Sequence, residues 1–361
     1  MSSTRREFLR HMTAVIAGVS AHGIPVVAAA QQNPAMPTPR AAALMKAFGL
    51  TLPIFQAGMA SIATPELAIA VSAAGGLGAI GIITDAPERV RTLVSSVKAG
   101  TNRPFAVNFL LAFDPPTLGV ALEAGAPGIQ FAWGIPSKES VAAIRTAGAK
   151  MGIQIASAEG ARRALDLGAD YLICQGTEAG GHVQASTPLQ ETLPRVLEAA
   201  HLTPVLAAGG IADGRAIRRA LVAGASGVLI GTRFVATQEA GAHSDYKNLL
   251  IRANAGDTVF TVCFQDGWPN APHRVLRNPT FSMWEAAGCP PPGKRPGEGD
   301  VVATQAGNPI LRYKTIPPGP AMTGMITHMA MYAGQGVGAI RDLPSAGELV
   351  ERLWEDCVAG L

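Results

Sequence analysis

One short segment combines an apolar strand, a glycine-bearing turn and a single histidine. It runs from Cys174 to His182 and reads Cys-Gln-Gly-Thr-Glu-Ala-Gly-Gly-His. Because Gly180 and Gly181 have no Cβ, a planar ligand can lie directly against their backbone, and the chain can adopt positive φ there. The imidazole of His182 can gain or lose a proton near neutral pH, as a general acid or base must. The segment therefore predicts an active-site loop.

Eight short apolar segments, separated by helix-like segments, must position this loop. Most are continuous apolar runs without polar alternation, which is typical of strands buried on both faces of a parallel sheet. Eight β-then-α units predict an α/β protein with a (β/α)8 or TIM barrel. The predicted strands are Leu52–Gln56, Leu77–Ile83, Phe105–Leu110, Gly128–Trp133, Lys150–Ala156, Tyr171–Cys174, Pro204–Ala208 and Gly227–Phe234. The predicted helices begin near Thr64, Ala86, Ser137, Ala158, Thr187 and Asp213.

The pattern changes after residue 240. Residues 257–320 are rich in Pro, Gly and Asn and predict loops, whereas helical patterns return at Ala321–Gly334 and Gly347–Val358. The proline-rich segment 286–299 is either a lid over the site or a passive extension. The predicted organisation is an N-terminal linker or helix over 31–47, a barrel over 48–240, and a C-terminal loop-rich and helical extension over 241–361 that packs on the barrel.

Two further glycine turns follow the seventh and eighth predicted strands, where TIM barrels commonly bind phosphate. The first contains Gly209 and Gly210, and the second is Gly231-Thr232-Arg233. Glycine N–H groups, the Thr232 hydroxyl and the Arg233 cation suit a phosphate monoester. Together with the turn after the sixth strand, they predict a cofactor with a phosphate tail and a ring that reaches toward that strand.

Two amides stand at the ends of apolar strands. The side chains of Asn108 and Gln175 can both donate and accept hydrogen bonds, which suits the polar edge of a planar ring. The alternative for Asn108 is an amide that is satisfied within the protein. Glu178 either orients a neighbouring group or is a solvated loop carboxylate.

These pieces, in this order, resemble the nitronate monooxygenase family, formerly 2-nitropropane dioxygenases, whose members are FMN-dependent TIM barrels. The matching segments are Pro53–Met59, Val107–Phe109, Gln175–His182, Ala207–Ile211 and Leu229–Phe234. The resemblance implies FMN as cofactor and His182 as the catalytic histidine. The implied cofactor-binding residues are Ala57, Gly58, Met59, Asn108, Gln175, Gly180, Gly181, Gly210, Leu229, Ile230, Gly231 and Thr232. Gln335 resembles a C-terminal family segment that approaches the site.

The resemblance also implies a reaction, the oxidation of alkyl nitronates or nitroalkanes by flavin and O2 to a carbonyl compound and nitrite. Neutral His182 would take the α-proton of a nitroalkane as general base, and cationic His182 could instead hold an anionic nitronate. Two adjacent positions depart from the family pattern, because Val183-Gln184 follow the histidine in place of an Arg-Gly pair. Two alternatives therefore stay open: an NAD(P)H:quinone oxidoreductase on the same barrel, and a flavin-binding or sensing barrel without turnover.

The N-terminus has the features of a twin-arginine (Tat) signal peptide. Arg5-Arg6 precede Phe8-Leu9, a modestly apolar run follows, and Ala28 to Ala30 provide a small-residue cleavage site. The run is too short for a stable membrane anchor. We expect the Tat export machinery to carry the chain to a periplasmic or other extracytoplasmic location after cleavage near Ala30. The alternative is an amphipathic helix that stays attached.

Charge and cysteine content limit the other possible functions. Residues 1–30 hold three arginines and one glutamate, so their removal lowers the formal charge from +3 to +1. A nearly neutral chain has no electrostatic basis for binding nucleic acid or an anionic membrane. The four cysteines have no metal-ligand spacing, so the sequence predicts no metal site. Cys263 and Cys289 are either a disulfide or two free thiols.

Overall fold

Eight parallel strands form a single sheet that closes on itself. The computed structural model describes residues 36–360, so the predicted signal peptide over residues 1–30 lies outside the described residues. The strands are β1 (Ile54–Gln56), β2 (Gly78–Ile82), β3 (Phe105–Leu110), β4 (Gly128–Ala132), β5 (Lys150–Ile155), β6 (Tyr171–Gln175), β7 (Gly181–His182), β8 (Val205–Ala208), β9 (Gly227–Ile230), β10 (Thr258–Thr261), β11 (His273–Leu276), β12 (Val301–Gln305), β13 (Asn308–Leu311) and β14 (Met322–Gly324).

Helices alternate with the barrel strands and continue into the C-terminal part. The α-helices are α1 (Pro39–Phe48), α2 (Pro65–Ala73), α3 (Pro87–Gly100), α4 (Leu118–Glu123), α5 (Lys138–Thr146), α6 (Ala158–Asp166), α7 (Leu189–Ala200), α8 (Gly214–Val222), α9 (Thr232–Val235), α10 (Ser244–Leu250), α11 (Pro279–Ala286) and α12 (Ala346–Ala359). Short 3-10 helices cover Ala60–Ile62, Ala255–Asp257, Ile326–His328 and Gln335–Ala339. None of the helices between residues 36 and 360 is both long and apolar enough to cross a bilayer.

The strand order confirms the predicted TIM barrel. The hydrogen-bonded order is β1-β9-β8-β6-β5-β4-β3-β2, every neighbouring pair is parallel, and a bridge between Phe55 and Leu77 closes the ring. The two-residue strand β7 lies outside the ring, so β8 and β9 are the seventh and eighth barrel strands. The loops at the carboxyl ends of all eight strands therefore meet at one face, where TIM barrels carry their active sites.

Local sequence signals explain where the helices begin. The side chains of Thr64, Ser137 and Asp213 accept hydrogen bonds from backbone N–H groups in the first turns of α2, α5 and α8. These bonds satisfy donors that a helix N-terminus otherwise leaves unpaired. The predicted starts of these helices agree with the structure.

Aromatic side chains fill the barrel interior below the site. Tyr171 packs edge-on against Phe48 of α1, with ring centroids 5.2 Å apart, and is 5.6 Å from Phe55. Leu44 of α1 belongs to the same buried cluster. The helix α1 thus contributes to the core of the barrel, and Gln130 above it donates to the Tyr171 hydroxyl at 3.0 Å.

Several predictions of secondary structure are wrong in detail. Residues 257–320, which were predicted to be loops, contain β10, β11, α11, β12 and β13. The eighth barrel strand ends at Ile230 and not at Phe234, because Gly231 begins the short helix α9. Residues 321–334 contain β14 and a 3-10 turn where a helix was expected, although Met322, Met329 and Met331 are buried as core residues. The six-residue helix α4 was not predicted, because Pro115 and Pro116 precede it and Gly119 lies within it.

The C-terminal part is attached to the barrel through strand pairing. The strand β11 pairs antiparallel with β7 on one side and with β10 on the other, so the loop that holds His182 is hydrogen bonded to residues nearly one hundred positions later. A second sheet joins β12 to β13 and β14. All four cysteines are free thiols, including Cys263 and Cys289.

Candidate active site

A cavity of about 460 Å³ opens at the carboxyl ends of the barrel strands. This volume is within the range of small-molecule and cofactor sites. Its lining contains no Asp, Glu, Lys or Arg side chain in the part of the chain that the structure describes. The same described part contains no cluster of His, Cys, Asp or Glu that could hold a metal ion. One part of the lining is formed by glycine backbone and another by aromatic side chains.

The first part, which we call the glycine wall, consists of Gly180, Gly210, Gly231 and Gly334. A Cβ on Gly180 would lie 2.4 Å from the Gly334 nitrogen, and one on Gly334 would lie 2.7 Å from the Glu178 oxygen. The backbones of the β6–β7 loop and the C-terminal segment are therefore packed too closely for any side chain. Gly210 has φ of +70°, a conformation that residues with a Cβ rarely adopt.

Backbone donors are free along this wall. The N–H groups of Gly210, Gly231 and Thr232 donate to no acceptor in the described protein. They stand at the ends of β8 and β9, where a phosphate was expected. The Thr232 hydroxyl is already engaged, because it accepts the Gly334 N–H at 3.0 Å.

Arg233 does not take part in this donor set, which corrects the prediction that it is a phosphate-binding cation. Its side chain is 3% exposed, forms an ion pair with Asp342 at 2.6 Å and donates to the Ala236 carbonyl. Burial lowers the pKa of Arg233 to about 10, so it remains charged at neutral pH. It fixes the turn after β9 to the segment before α12.

The second part, which we call the aromatic wall, consists of Phe113, Trp133, Trp268 and Tyr332. Trp268 stacks on the imidazole of His182 with centroids 4.1 Å apart and rings 27° from parallel. Tyr332 approaches His182 at 5.4 Å. Trp133 and Phe113 meet Trp268 edge-on at 4.8 Å and 5.1 Å.

His182 is neutral in this environment. Burial, with a smaller contribution from nearby His273, lowers the pKa of His182 to about 3. Its Nε2 atom is buried and has no hydrogen-bond partner in the described protein. A buried polar atom without a partner is rare, and it is expected where a ligand completes the site. The structure thus presents an uncharged, unpartnered imidazole nitrogen at the cavity.

Gln175 holds the backbone around His182. Its Nε2 donates to the His182 carbonyl at 3.2 Å, and its Oε1 accepts the Gln184 N–H at 2.8 Å. Gln184 in turn accepts from Gln154 Nε2 at 2.8 Å and from the Trp133 N–H at 3.1 Å. Gln184, one of the two residues that depart from the family pattern, therefore connects the loop that holds His182 to the aromatic wall.

Asn108 is differently placed. Its amide reaches the cavity and makes no side-chain hydrogen bond within the described protein, so it is free to bind a ligand. A Cβ on Gly58 would lie 2.5 Å from the Asn108 Cβ, so the β1 turn packs directly against this side chain.

The structure brings almost all the predicted residues together. The cavity lining includes Ala57, Gly58, Met59, Asn108, Gln175, Gly180, Gly181, His182, Gly210, Leu229, Gly231 and Thr232. Ile230 is the exception, since its side chain is buried in the barrel core. The Gln335 side chain is exposed, although its neighbours Gly334 and Gly336 line the cavity. Glu178 accepts the Leu189 N–H with both oxygens, at 3.2 Å and 3.0 Å, and so caps α7.

Sequence reasoning missed the aromatic wall. Trp133 follows a barrel strand, so the rule that strand ends carry function could have selected it. Trp268, Tyr246 and Tyr332 come from the C-terminal part, and no local pattern places them at the cavity. The proline-rich segment 286–299 contributes no residue to the lining.

Comparison with known proteins decides the family. The family model described as nitronate monooxygenase matches residues 41–119 and 116–356. A nitronate monooxygenase from Pseudomonas aeruginosa is 32% identical, with 85% of this chain and 97% of the relative covered. The chain belongs to the nitronate monooxygenase family. It is accordingly a flavin-dependent oxidoreductase, and a flavin-binding barrel without turnover is set aside.

Two solved structures resemble this family member along most of their length. A nitroalkane oxidase from Streptomyces ansochromogenes superposes with a TM-score of 0.70 at 29% identity and covers 88% of this chain and 98% of its own. FabK from Thermotoga maritima superposes with a TM-score of 0.73 at 29% identity and covers 87% and 95%. Both support the fold, and together they leave more than one reaction open.

Proposed function

We propose that this chain is an FMN-dependent nitronate monooxygenase that converts alkyl nitronates or nitroalkanes and O2 to a carbonyl compound and nitrite. The observation that carries the proposal is a cavity without charged side chains, lined both by neutral His182, whose Nε2 is unpartnered, and by the glycine wall with its free N–H groups. The family and the similar nitroalkane oxidase support this substrate class.

The residues of the cavity fit a flavin mononucleotide. The free N–H groups of Gly210, Gly231 and Thr232 would hold its single phosphate, and the Asn108 amide would bind the polar edge of the ring. A Cβ on Gly231 would lie 3.6 Å from the Met59 sulfur, an ordinary contact distance, so the glycine leaves additional space there for a ligand. When bound, the flavin supplies the electron transfer.

The protein supplies the proton chemistry. Because burial lowers the pKa of His182 to about 3 in the free protein, its imidazole is in the basic form at neutral pH. We propose that Nε2 takes the α-proton of a neutral nitroalkane. The nitronate formed there is an anion, and an adjacent opposite charge raises the pKa of the imidazole and stabilises the resulting ion pair. Gln175 keeps the imidazole in position through the His182 carbonyl.

A second candidate is an NAD(P)H:quinone oxidoreductase. The uncharged cavity favours a neutral planar acceptor such as a quinone. The similarity to FabK leaves the exact activity open.

One experiment tests the function. The protein is purified aerobically, its visible spectrum is recorded, and the flavin released by heat is identified as FMN or FAD by chromatography. Oxygen uptake and nitrite are then followed with ethyl nitronate and, separately, with NADH. Oxygen uptake with nitrite from the nitronate, and no bleaching by NADH, support the monooxygenase. Bleaching by NADH that a quinone reverses, without nitrite, contradicts it and supports the reductase.

We also propose export by the twin-arginine route. The Arg5-Arg6 pair and the alanines ending at Ala30 support it. Because this route carries folded proteins, the flavin would be inserted before export. Fusion of residues 1–35 to a reporter should direct the reporter out of the cytoplasm. Retention in the cytoplasm, with no difference from an Arg5→Lys and Arg6→Lys double variant, would contradict the proposal.

A further inference from the structure

The aromatic wall is more elaborate than a small alkyl nitronate requires. Trp268 stacks on His182 at 4.1 Å, and Trp133 meets both His182 and Trp268, at 6.1 Å and 4.8 Å. Phe113 contacts the other edge of Trp268. The two indole rings and the ring of Tyr332, at 5.4 Å, thus surround the imidazole that is proposed to take the substrate proton.

Trp133 is held in an unfavourable conformation. Its φ is +62°, in the left-handed region that bulky residues rarely adopt. Such conformations persist where the surroundings enforce them, and they cluster at functional sites. Here the Trp133 N–H donates to Gln184 Oε1, and the same oxygen is fixed by Gln154. The indole is therefore placed at the cavity by the hydrogen bonds of neighbouring strands.

Trp268 is anchored in a different way. Two residues before it, Asp266 accepts from Arg295 Nη2 at 2.7 Å, and the Arg295 side chain is 1% exposed. Arg295 also lies over the Tyr313 ring at 4.3 Å. The proline-rich segment 286–299 thus fixes the loop that carries Trp268. Both tryptophans have fixed backbones, as specificity-determining side chains require.

Charge restricts what these rings can bind. The described lining has no charged side chain, so a substituent that enters the aromatic wall must be uncharged. Indole rings bind flat apolar groups better than short alkyl groups, through stacking and edge-on contacts. Polar contacts for the reacting end come from His182 and Asn108, which line the same cavity.

We propose that Trp133 and Trp268 are specificity-determining residues, and that the substrate carries an aromatic or similarly planar apolar group beyond the carbon bonded to nitrogen. The identity of the reacting group rests on the proposed function. The preference for a planar substituent is a property of the cavity and can be measured without turnover.

The first test is kinetic and uses the purified holoenzyme. The kcat/KM for the nitronate of 1-nitro-2-phenylethane should exceed that for ethyl nitronate by about tenfold. Trp133→Leu and Trp268→Leu should each reduce this ratio to nearly one, and Trp268→Phe should restore part of it. Trp354→Leu is the matched control, since Trp354 lies on α12 and outside the cavity lining, and it should keep the wild-type ratio.

The second test is binding of neutral amides, read from the visible flavin spectrum. Phenylacetamide should bind about tenfold more tightly than acetamide, and both leucine variants should lose the difference. Equal binding of the two amides by the wild type, or an unchanged preference in both variants, would overturn the proposal. If nitronates are not oxidised at all but the amide preference depends on the tryptophans, the proposed function fails and the specificity stands.

Discussion

The glycine wall and the aromatic wall face the same cavity but are built on opposite principles. The glycine wall is made of backbone. At Gly180 and Gly334, neighbouring backbone lies within 3 Å of where a Cβ would be, and Gly210 has a positive φ. The aromatic wall is made of side chains whose positions depend on contacts between distant residues. A wall of backbone N–H groups suits an invariant partner such as a cofactor, whereas a wall of side chains can be adapted to a substrate.

The largest expected effect is in the glycine wall. Gly180→Ala would place a Cβ 2.4 Å from the Gly334 nitrogen, and backbone on both sides leaves little room to adjust. We expect a loss of about 3 kcal/mol of unfolding free energy and of most of the bound flavin. Urea unfolding and the ratio of flavin to protein absorbance measure both. Gly119→Ala is the control, because a Cβ there meets nothing within 4 Å. Equal behaviour of the two variants would show that the close packing is unimportant.

The next effect concerns the histidines beside the aromatic wall. Burial lowers the pKa of His182 to about 3 and of His273 to about 4, below the unfolded value of 6.5. The unfolded chain therefore binds more protons between these values, so stability falls as pH decreases below 6.5. At pH 5 each histidine should cost about 2 kcal/mol of unfolding free energy relative to pH 7.5. Unfolding measured at both pH values should show this loss, and His182→Asn should remove about half of it. A loss that is the same in that variant would argue that His182 is not buried in its neutral form.

A smaller effect, on substrate binding, is expected at Gln184, where the loop that holds His182 meets the aromatic wall. Gln184→Leu keeps the side-chain size but leaves the Trp133 N–H and Gln154 Nε2 without their acceptor. We expect kcat/KM to fall about fivefold, through KM, because the loss of these two hydrogen bonds should weaken substrate binding by about 1 kcal/mol in total. Gln184→Glu retains acceptor oxygens and should recover most of the loss. A wild-type KM in the leucine variant would show that Gln184 is not needed to position the aromatic wall.

The smallest effect is expected at Arg233. Its guanidinium is bound to Asp342 and the Ala236 carbonyl, away from the free N–H groups of the glycine wall. Arg233→Met should therefore lower the melting temperature and leave the Kd for FMN within about twofold. If the variant, at a temperature where it is folded, binds FMN with a tenfold higher Kd, Arg233 does contribute to phosphate binding.

The two walls also differ in how far the sequence reveals them. Barrel strands are local apolar runs, and glycines at their ends are visible as such, so the fold and the positions of Gly180, Gly210 and Gly231 followed from pattern and resemblance. The sequence did not reveal whether a polar side chain such as that of Arg233 is buried or exposed. Arg233 looked like a cation for phosphate, yet the segment around Asp342, more than one hundred residues later, draws it into an ion pair.

Long-range pairing explains what was missed. Trp268 reaches His182 because β11 pairs with β7, and antiparallel pairing across ninety residues leaves no local periodic signal. The helix expected over 321–334 is absent for a related reason. Met322 pairs with Gln305 of β12, so contacts with another strand determine its conformation. Local chemistry thus predicts the glycine wall, and tertiary contacts determine the aromatic wall.

The most direct test of the central claim, that neutral His182 takes the substrate proton, compares two forms of one substrate. His182→Asn holoenzyme, checked for full flavin content, is assayed for nitrite release with nitroethane and with preformed ethyl nitronate. A general base is needed only for the neutral form, so turnover of nitroethane should fall at least about a hundredfold. Turnover of the nitronate should fall much less. Undiminished nitroethane turnover by the flavin-loaded variant would contradict the claim.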